Sequence, residues 1–294
     1  QKTTVNLTHK ASWDESSEYA LYPSFSPDGK QVAYAWNNAT YSWINKKTVS
    51  LRVVNVDGSN PRILYQEEIL DDIKPVQWSP EGKQILAIMA RKEKEKPDVQ
   101  NHIALVSVAD GSIQIIKSLG VHKSNCGFSP DARYIAYHLP AQPGVSGKDI
   151  YILSLADKQE GILEEHPADD QFVGWSPDGR WILFTSDRSG SKDLWAAPVA
   201  EGKRQGDSRL ILNGIGEIEA KGFTKNGSFY YEALRIDTDI YVTKLDLAAA
   251  TIIDSPRLLF QNVESRLKFT CAWSHDGQYL AAGAMRSIPF SSMP

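Results

Sequence analysis

One short segment returns six times along the chain, and its spacing constrains the fold more than any other feature. Each copy starts with Phe or Trp and continues with Ser or Thr and a variant of Pro-Asp-Gly. The copies occupy residues 25–30, 78–83, 128–133, 175–180, 223–228 and 273–278. They lie about 50 residues apart, a period typical of stacked units that cannot bury an apolar face alone. The chain is therefore predicted to be an array of six similar units.

The chemistry of this segment predicts a tight turn between two antiparallel strands. Pro presets the backbone at the first turn position, Asp bonds to its own backbone, and Gly accepts a positive φ. Alternating apolar runs follow the turns, as in residues 31–36, and two further strands follow at 51–56 and 62–65 in the first repeat. Four antiparallel strands per repeat form a blade of a β-propeller, so the predicted fold is all-β and six-bladed.

The Ser-Pro-Asp-Gly turns, together with residues 185–190 and Asp193-Leu194-Trp195, resemble the TolB-like propeller repeat, also called the PD40 or WD40-like repeat. The resemblance covers nearly the whole chain. True WD40 repeats are shorter and carry Gly-His and Trp-Asp pairs that are missing here at the expected places. The TolB-like repeat occurs in envelope proteins, peptidase gating domains, sensors and some lyases. The resemblance implies a bacterial protein of the periplasm or another extracytoplasmic compartment.

The two ends of the sequence bear on ring closure. The sixth repeat shows a first strand before Trp273 and a second at 279–283, with residues 287–291 as the candidate third strand. Residues 4–8 have the pattern of a fourth strand, and we predict that they join the last blade and close the ring. Residues 1–294 are predicted to form a single propeller domain, either complete or a piece of a longer protein.

Composition excludes several classes of partner. A net charge of −4 gives no basis for attraction to nucleic acid. No stretch approaches the roughly 20 apolar residues that span a bilayer, so membrane insertion is not expected. Cys126 and Cys271 are predicted on the innermost strands of opposite blades, too far apart for a disulfide, and are interpreted as buried free thiols. A monomer is expected.

Propeller topology separates the loops onto two faces. The motif turns lie on one, here called the turn face, and the connections between blades and between second and third strands lie on the other, here called the long-loop face. Three connections of the long-loop face are longer than a hairpin requires: 36–49, 90–101 and 139–148. The binding site is therefore predicted on that face. Trp36, Tyr41 and Trp43 suit the anchoring of a peptide or sugar there, or else they cap the first blade.

Polar residues precede or begin the first strands, where the channel mouth is expected. The candidate ligand contacts are Asp71, Asp72, His122, Asp169, Asp170, Glu217, Glu219 and Arg266. Such a mixed-charge ring suits a small polar ligand, and converging Asp, Glu and His side chains bind divalent cations. The alternative is a rim of solvated charges. No cofactor is predicted, and a divalent cation at the mouth stays an open alternative.

Arginine recurs at one offset behind the motif aromatic, at Arg91, Arg188 and Arg286. Where Arg188 faces the channel, its planar guanidinium suits a ligand carboxylate. The alternative is that these arginines tie neighbouring blades together.

The sequence lacks a Gly-x-Ser-x-Gly elbow and a glycine-rich phosphate loop, so it favours a non-enzyme and predicts no catalytic residues. The first hypothesis is a binding or scaffolding propeller that recognises a protein segment or small polar ligand on the long-loop face. The second is a propeller that gates or docks substrate for a peptidase or sensor protein. The third is a metal-assisted carbohydrate lyase or hydrolase with its site at the channel mouth.

Overall fold

All regular structure in the described residues is β-strand, 25 strands in total and no helix. The computed structural model describes residues 5–8, 18–38, 48–140, 142, 147–223, 228–233, 241–242, 245–246, 251–255, 257–258, 267–273 and 280–285. The chain divides into two compact units, residues 1–231 and 232–294, which are described separately. The prediction of one domain stays a prediction.

The first unit contains four antiparallel sheets, one for each of the first four repeats. The first sheet is β1 (Tyr19–Phe25), β2 (Gln31–Asn38), β3 (Thr48–Asn55) and β4 (Arg62–Gln66). The second is β5 (Leu70–Trp78), β6 (Gln84–Arg91), β7 (Gln100–Ser107) and β8 (Ile113–Gly120). The third is β9 (Cys126–Phe128), β10 (Tyr134–Pro140), β11 (Lys148–Ser154) and β12 (Glu160–Glu164). The fourth is β13 (Gln171–Trp175), β14 (Trp181–Ser186), β15 (Asp193–Ala200), the short β16 (Lys203–Arg204) and β17 (Arg209–Leu212).

The remaining strands form two-stranded sheets. In the fifth repeat β18 (Ile218–Phe223) pairs with β19 (Phe229–Ala233). In the second unit β20 (Tyr241–Val242) pairs with β23 (Arg257–Leu258), β21 (Leu245–Asp246) with β22 (Thr251–Ile252), and β24 (Leu267–Trp273) with β25 (Leu280–Met285). The all-β class and the four-stranded repeat unit are thus confirmed.

The motif turns use their own polar side chains to hold their shape. In the first copy Ser26 Oγ donates to Asp28 Oδ1 at 2.7 Å, and the backbone N of Gln31 donates to Ser26 Oγ at 2.9 Å. The third and fourth copies repeat the Ser-to-Asp bond. Gly29 has φ of 70°, a conformation that glycine adopts without strain. The motif serine and aspartate side chains are therefore used to stabilise the turn.

Neighbouring sheets of the first unit pack face to face and form its cores. One apolar cluster joins the first and second sheets through residues such as Leu51 and Ile85, and others join the second to the third and the third to the fourth. Two indoles add hydrogen bonds between first strands. Trp78 Nε1 donates to the carbonyl of Ser24 at 3.0 Å, and Trp175 Nε1 donates to that of Gly127 at 3.2 Å. The first strands therefore lie side by side.

The predicted closing strand is wrong for the part that the structure describes. Residues 5–8 form no strand, because Asn6 Oδ1 accepts bonds from Thr8 N and Thr8 Oγ1, both at 3.3 Å, and this local turn bends the chain. Leu7 instead packs against the apolar cluster of Val32, Tyr34, Trp36 and Val54 in the first sheet. Thr4 and residues 287–291 lie outside the described residues.

Candidate functional site

The structure brings most of the predicted rim residues to the starts of the first strands. Asp71 and Asp72 lie in β5, His122 precedes β9, Asp169 and Asp170 precede β13, Glu217 precedes β18 and Glu219 lies in it. Arg188 lies between β14 and β15. Tyr41, Trp43 and Arg266 lie outside the described residues, so their predicted contacts stay predictions.

Asp169 is held between two lysines. Lys148 Nζ lies 3.0 Å from Asp169 Oδ1 and Lys192 Nζ lies 2.8 Å from Oδ2, while Gln171 Nε2 donates to Oδ2 at 2.6 Å. Burial by itself raises the pKa of this carboxyl, but the lysine hydrogen bonds and charges outweigh it and lower the pKa to about 2. Asp169 therefore stays ionised and paired at neutral pH.

Glu219 forms the second such cluster. It bonds Lys74 Nζ at 2.9 Å and Lys221 Nζ at 3.0 Å. Burial raises the pKa of Glu219, and the two ammonium groups outweigh burial, so the pKa lies below its usual value. The Lys74 ammonium also lies 5.5 Å from the centre of the Tyr22 ring.

Two further rim carboxylates also face lysines. Asp71 pairs with Lys92 at 3.2 Å, and Glu217 lies 3.8 Å from Lys192. Among the described residues, no group of three or more His, Cys, Asp or Glu side chains is arranged to hold a metal ion. The described part of the rim therefore pairs carboxylates with ammonium groups instead of collecting them around one cation.

Arg188 is a tie between sheets, the alternative that the sequence left open. Its Nη1 donates to Glu164 at 2.8 Å, at the end of the third sheet, and its Nη2 donates to Asp170 at 2.7 Å, at the start of the fourth. The guanidinium carbon lies 5.1 Å from the centre of the Phe184 ring and 5.0 Å from that of the Trp195 ring. Burial raises the pKa of Asp170, because the charge of Arg188 offsets only part of the desolvation.

A second arginine, two repeats earlier in the chain, makes a similar contact. Arg91 donates to Glu67, which follows the last strand of the first sheet. In both ties the glutamate lies 24 residues before the arginine. This glutamate-to-arginine spacing is visible in the sequence and is the signal that identifies both ties.

Trp36 does not lie in an exposed loop. It belongs to β2, is only 6% exposed, and has the Arg52 guanidinium 4.6 Å from its ring centre. The alternating apolar pattern of this strand continues through Trp36, which the predicted loop boundary at residue 36 ignored. Trp36 therefore caps the first sheet, and its packing offers no anchoring surface.

A large concavity of the first unit lies at the turn face, opposite the predicted site. The cavity, of about 670 Å³, is called here the turn-face cavity. Its walls are the ends of β1, β5, β9, β13 and β18 with the motif prolines. The lining residues are Pro23, Ser24, Phe25, Pro27, Val76, Gln77, Trp78, Pro80, Cys126, Gly127, Phe128, Pro130, Phe172, Val173, Gly174, Trp175, Ser176, Pro177, Ala220, Lys221, Gly222, Phe223 and Phe229.

The side chains that line this cavity are mostly apolar, and several of them are aromatic. Phe25 is 65% exposed, and the rings of Phe223 and Phe229 contact each other at 5.0 Å. Cys126 is a buried free thiol, as predicted, and burial raises its pKa to about 12, so it stays protonated. The side chain of Cys271 lies outside the described residues.

A family model named for the TolB β-propeller domain, PD40, matches residues 36–252, which is most of the chain. The chain belongs to this family. The structure of a putative TolB from Agrobacterium tumefaciens is similar with a TM-score of 0.53 and 20% identity, over 83% of this chain and 81% of that one. At this identity the likeness establishes the propeller fold and nothing further.

Two curated relatives are peptidases. Dipeptidyl aminopeptidase B of Saccharomyces cerevisiae is 34% identical over 93 residues, which is 29% of this chain and 11% of that protein. The uncharacterized peptidase YuxL of Bacillus subtilis is 22% identical over 181 residues, 62% of this chain and 24% of that protein. The chain therefore spans at most a quarter of the length of these relatives. Among the residues described here, no helix is long and apolar enough to cross a membrane.

Proposed function

We propose that the chain is a non-catalytic binding module, a six-bladed propeller that recognises an apolar segment of a partner protein in the turn-face cavity. Six motif copies support the blade number, and the first strands of five repeats already line one cavity. The observation that carries the proposal is the character of that cavity, which is large, aromatic and open at Phe25. The rim of the opposite face, by contrast, is occupied by ion pairs.

The size of the cavity fits this role. Ligand sites typically measure about 300–1,000 Å³ and are mostly apolar with a few polar groups. Burying one large apolar side chain contributes about 1.5–3 kcal/mol, and micromolar binding needs about 8 kcal/mol. Burying three or four apolar side chains of an extended segment therefore provides free energy in the range of micromolar binding. Additional contacts must then offset the entropic cost of association.

The experiment selects binding peptides and asks where they bind. A random peptide library is displayed on phage and selected on the wild-type protein, and the enriched peptides are synthesised and measured by fluorescence anisotropy. Phe25→Asp places a charge in the cavity and is expected to weaken binding at least about tenfold. Ile162→Asp is the matched control, because Ile162 is 51% exposed on β12 and does not line the cavity.

Peptides that bind wild type and Ile162→Asp alike but lose affinity for Phe25→Asp would support the proposal. If the library yields no enriched sequence, or if both variants bind equally well, the cavity is not a peptide site.

The rim residues Asp71, Asp72, His122, Asp169 and Glu217 stay proposed contacts for a small polar ligand on the long-loop face. The Lys92–Asp71 pair is the most accessible of the rim pairs and can exchange partners with a ligand. A thermal-shift screen of sugars, amino acids and organic acids tests this, with Asp71→Asn as the variant. A compound that raises the melting temperature of wild type should leave that of Asp71→Asn unchanged. If no compound raises the melting temperature of wild type, the rim is not a ligand site.

A second candidate function is substrate gating or docking within a peptidase, which the similarity to two peptidases favours. The first test is to sequence the native gene beyond the codon for Pro294. The second is to measure the hydrolysis of aminoacyl and prolyl peptide substrates by the complete native protein. Hydrolysis by that protein, with the propeller alone inactive, would establish the gating role. A native gene that ends without a peptidase domain would eliminate it.

We further propose an extracytoplasmic location and a monomeric state. Cell fractionation of the source organism tests the first, and light scattering coupled to size-exclusion chromatography tests the second. Cytoplasmic recovery, or a mass twice the 32.7 kDa of the chain, would overturn them.

A further inference from the structure

The residue directly before the motif aromatic lines the turn-face cavity in each of the first five repeats. These residues are Ser24, Gln77, Gly127, Gly174 and Gly222. Four of them are small, and Gln77 alone has a long polar side chain. A Cβ added at Gly174 or Gly222 would meet no described atom within 4 Å, so the cavity is open beside these glycines. Gln77 therefore departs from a pattern of small residues at the cavity wall.

The amide of Gln77 has a fixed orientation. The backbone N of Phe128, in the next first strand, donates to Gln77 Oε1 at 3.0 Å. Only the oxygen of a side-chain amide can accept this bond, so the NH₂ group takes the other position. Within the described residues Nε2 makes no hydrogen bond, and this atom is not fully buried. Gln77 thus presents two N–H donors at the cavity wall.

A β-bulge directs this position toward the cavity. The register of β5 on β6 shifts between Pro75 and Gln77, so Val76 is the additional residue of β5. A shift of the same kind precedes Ser24 in β1 and Gly174 in β13. Bulges re-aim the side chains beside them and are frequent next to functional sites. The bulge belongs to the repeat, and in the second repeat the residue that follows it carries an amide.

Most other polar side chains of the lining are already used inside the protein. Lys221 is ion-paired with Glu219, and the hydroxyl of Ser176 bonds within its motif turn. The indole N–H groups of the two lining tryptophans donate to backbone carbonyls. Among the described residues, the Ser24 hydroxyl and the Gln77 NH₂ group remain without a partner. Of these two groups, the Gln77 amide is the one that a hydrogen bond holds in place.

We propose that Gln77 Nε2 donates a hydrogen bond to a carbonyl oxygen of the bound segment, so that the turn-face cavity selects peptide segments over hydrocarbons of similar shape. A main-chain carbonyl is the acceptor that an apolar segment offers, because its side chains provide none. This inference rests on the proposed function, since it assigns a specificity contact within the same cavity. One neutral hydrogen bond of this kind contributes about a three- to tenfold gain in affinity.

Two fluorescent probes that differ by one carbonyl group provide the test. The first is 6-propionyl-2-dimethylaminonaphthalene, a ketone whose emission moves to longer wavelength when the carbonyl accepts a hydrogen bond. The second is the 6-propyl analogue, which lacks the carbonyl. Both are titrated into wild type, Gln77→Glu, Gln77→Met and Phe25→Asp. Gln114→Glu and Gln114→Met are the matched controls, because Gln114 is an exposed glutamine of β8 outside the cavity lining.

Both Gln77 variants are expected to weaken binding of the ketone about three- to tenfold more than binding of the hydrocarbon. The emission of the bound ketone should also move to shorter wavelength. Gln77→Glu keeps an oxygen for the Phe128 N–H and replaces only the donor, so its melting temperature should stay closer to wild type than that of Gln77→Met. The Gln114 variants should change neither probe, and Phe25→Asp should weaken both.

The outcomes separate this inference from the proposed function. If Phe25→Asp weakens both probes but the Gln77 variants affect the two probes equally, or no more than the Gln114 variants do, the cavity binds apolar ligands and the carbonyl contact is wrong. If neither probe binds wild type, or if Phe25→Asp leaves both unaffected, the cavity is not the binding site. The proposed function then fails together with this inference.

Discussion

His138 is predicted to make the stability of the first unit depend on pH. It lies buried in β10, where its Nδ1 accepts a hydrogen bond at 2.9 Å from the backbone N of Phe172 in the neighbouring sheet. Protonation of Nδ1 breaks this bond. Burial, together with the charges of Lys148 and Lys192, lowers the pKa of His138 to about 3, with Asp169 opposing part of the effect.

The size of this pH effect follows from the difference between the pKa of His138 in the folded state and in the unfolded state. An unfolded histidine titrates near pH 6.5, so the unfolded state binds a proton below that pH while folded His138 stays neutral. The stability that neutral His138 contributes is complete above pH 6.5 and falls by about 1.4 kcal/mol per pH unit until the pH approaches 3. Between pH 6.5 and 4.5 the expected loss is about 2–3 kcal/mol.

The assay compares urea unfolding of wild type and His138→Asn at pH 7.0, 6.0, 5.0 and 4.5 by tryptophan fluorescence. Asparagine keeps an acceptor near the Nδ1 position without titrating, so the variant should lose most of the pH dependence in this range. Ile182→Val is the control. Ile182 is fully buried, so removing one methylene group from it should lower the free energy of unfolding by about 1 kcal/mol equally at every pH. A wild-type pH slope in His138→Asn would refute the reasoning, whatever the variant does to stability at pH 7.

Three further outcomes are expected from urea unfolding. Ala132 occupies a motif-glycine position with φ of 55°, so Ala132→Gly should stabilise the protein by about 1 kcal/mol. Gly179→Ala, at φ of 71°, should destabilise it by a similar amount. An unchanged urea midpoint in either variant would contradict this. Arg188→Met should cost about 3–5 kcal/mol, because buried Asp170 loses its cation and buried Glu164 keeps only Arg204. Arg180→Met, at an arginine 77% exposed, should stay within about 0.5 kcal/mol. Asp169→Asn should remove about 2 kcal/mol of stability that wild type holds above pH 4 and loses as the pH falls toward 2, so the two proteins should converge in acid.

Local chemistry explains why the repeats could be predicted from the sequence. The turns depend on a few adjacent residues, such as Ser26 and Asp28, and the hydrogen bonds between them are those that the motif predicts. The same reasoning failed at residues 5–8, where an alternating pattern suggested a strand. There the Asn6 side chain accepts the hydrogen bond of the Thr8 backbone N, which a strand would use for pairing. An alternating pattern of apolar residues does not reveal this.

The candidate site was harder to predict because it depends on contacts between distant repeats. The rim residues were found from their position before each first strand, but their lysine partners come from other strands, as Lys74 does for Glu219. The turn-face cavity has no motif of its own, since it is formed where five first strands end together. Its lining residues belong to motif turns and first strands, and only the convergence of these strands forms the concave surface.

The division of polar and apolar chemistry between the two faces supports binding over catalysis. A general acid or base needs a carboxylate or imidazole that is free to exchange a proton near neutral pH. Asp169 is held ionised by lysines, Asp170 is bound to Arg188, and His138 is buried and neutral, so each of these groups is committed to a structural partner. The turn-face cavity has the opposite character, because apolar and aromatic side chains make up most of its described lining. Apolar contacts can provide free energy of association in this cavity, which is what the proposed binding function requires.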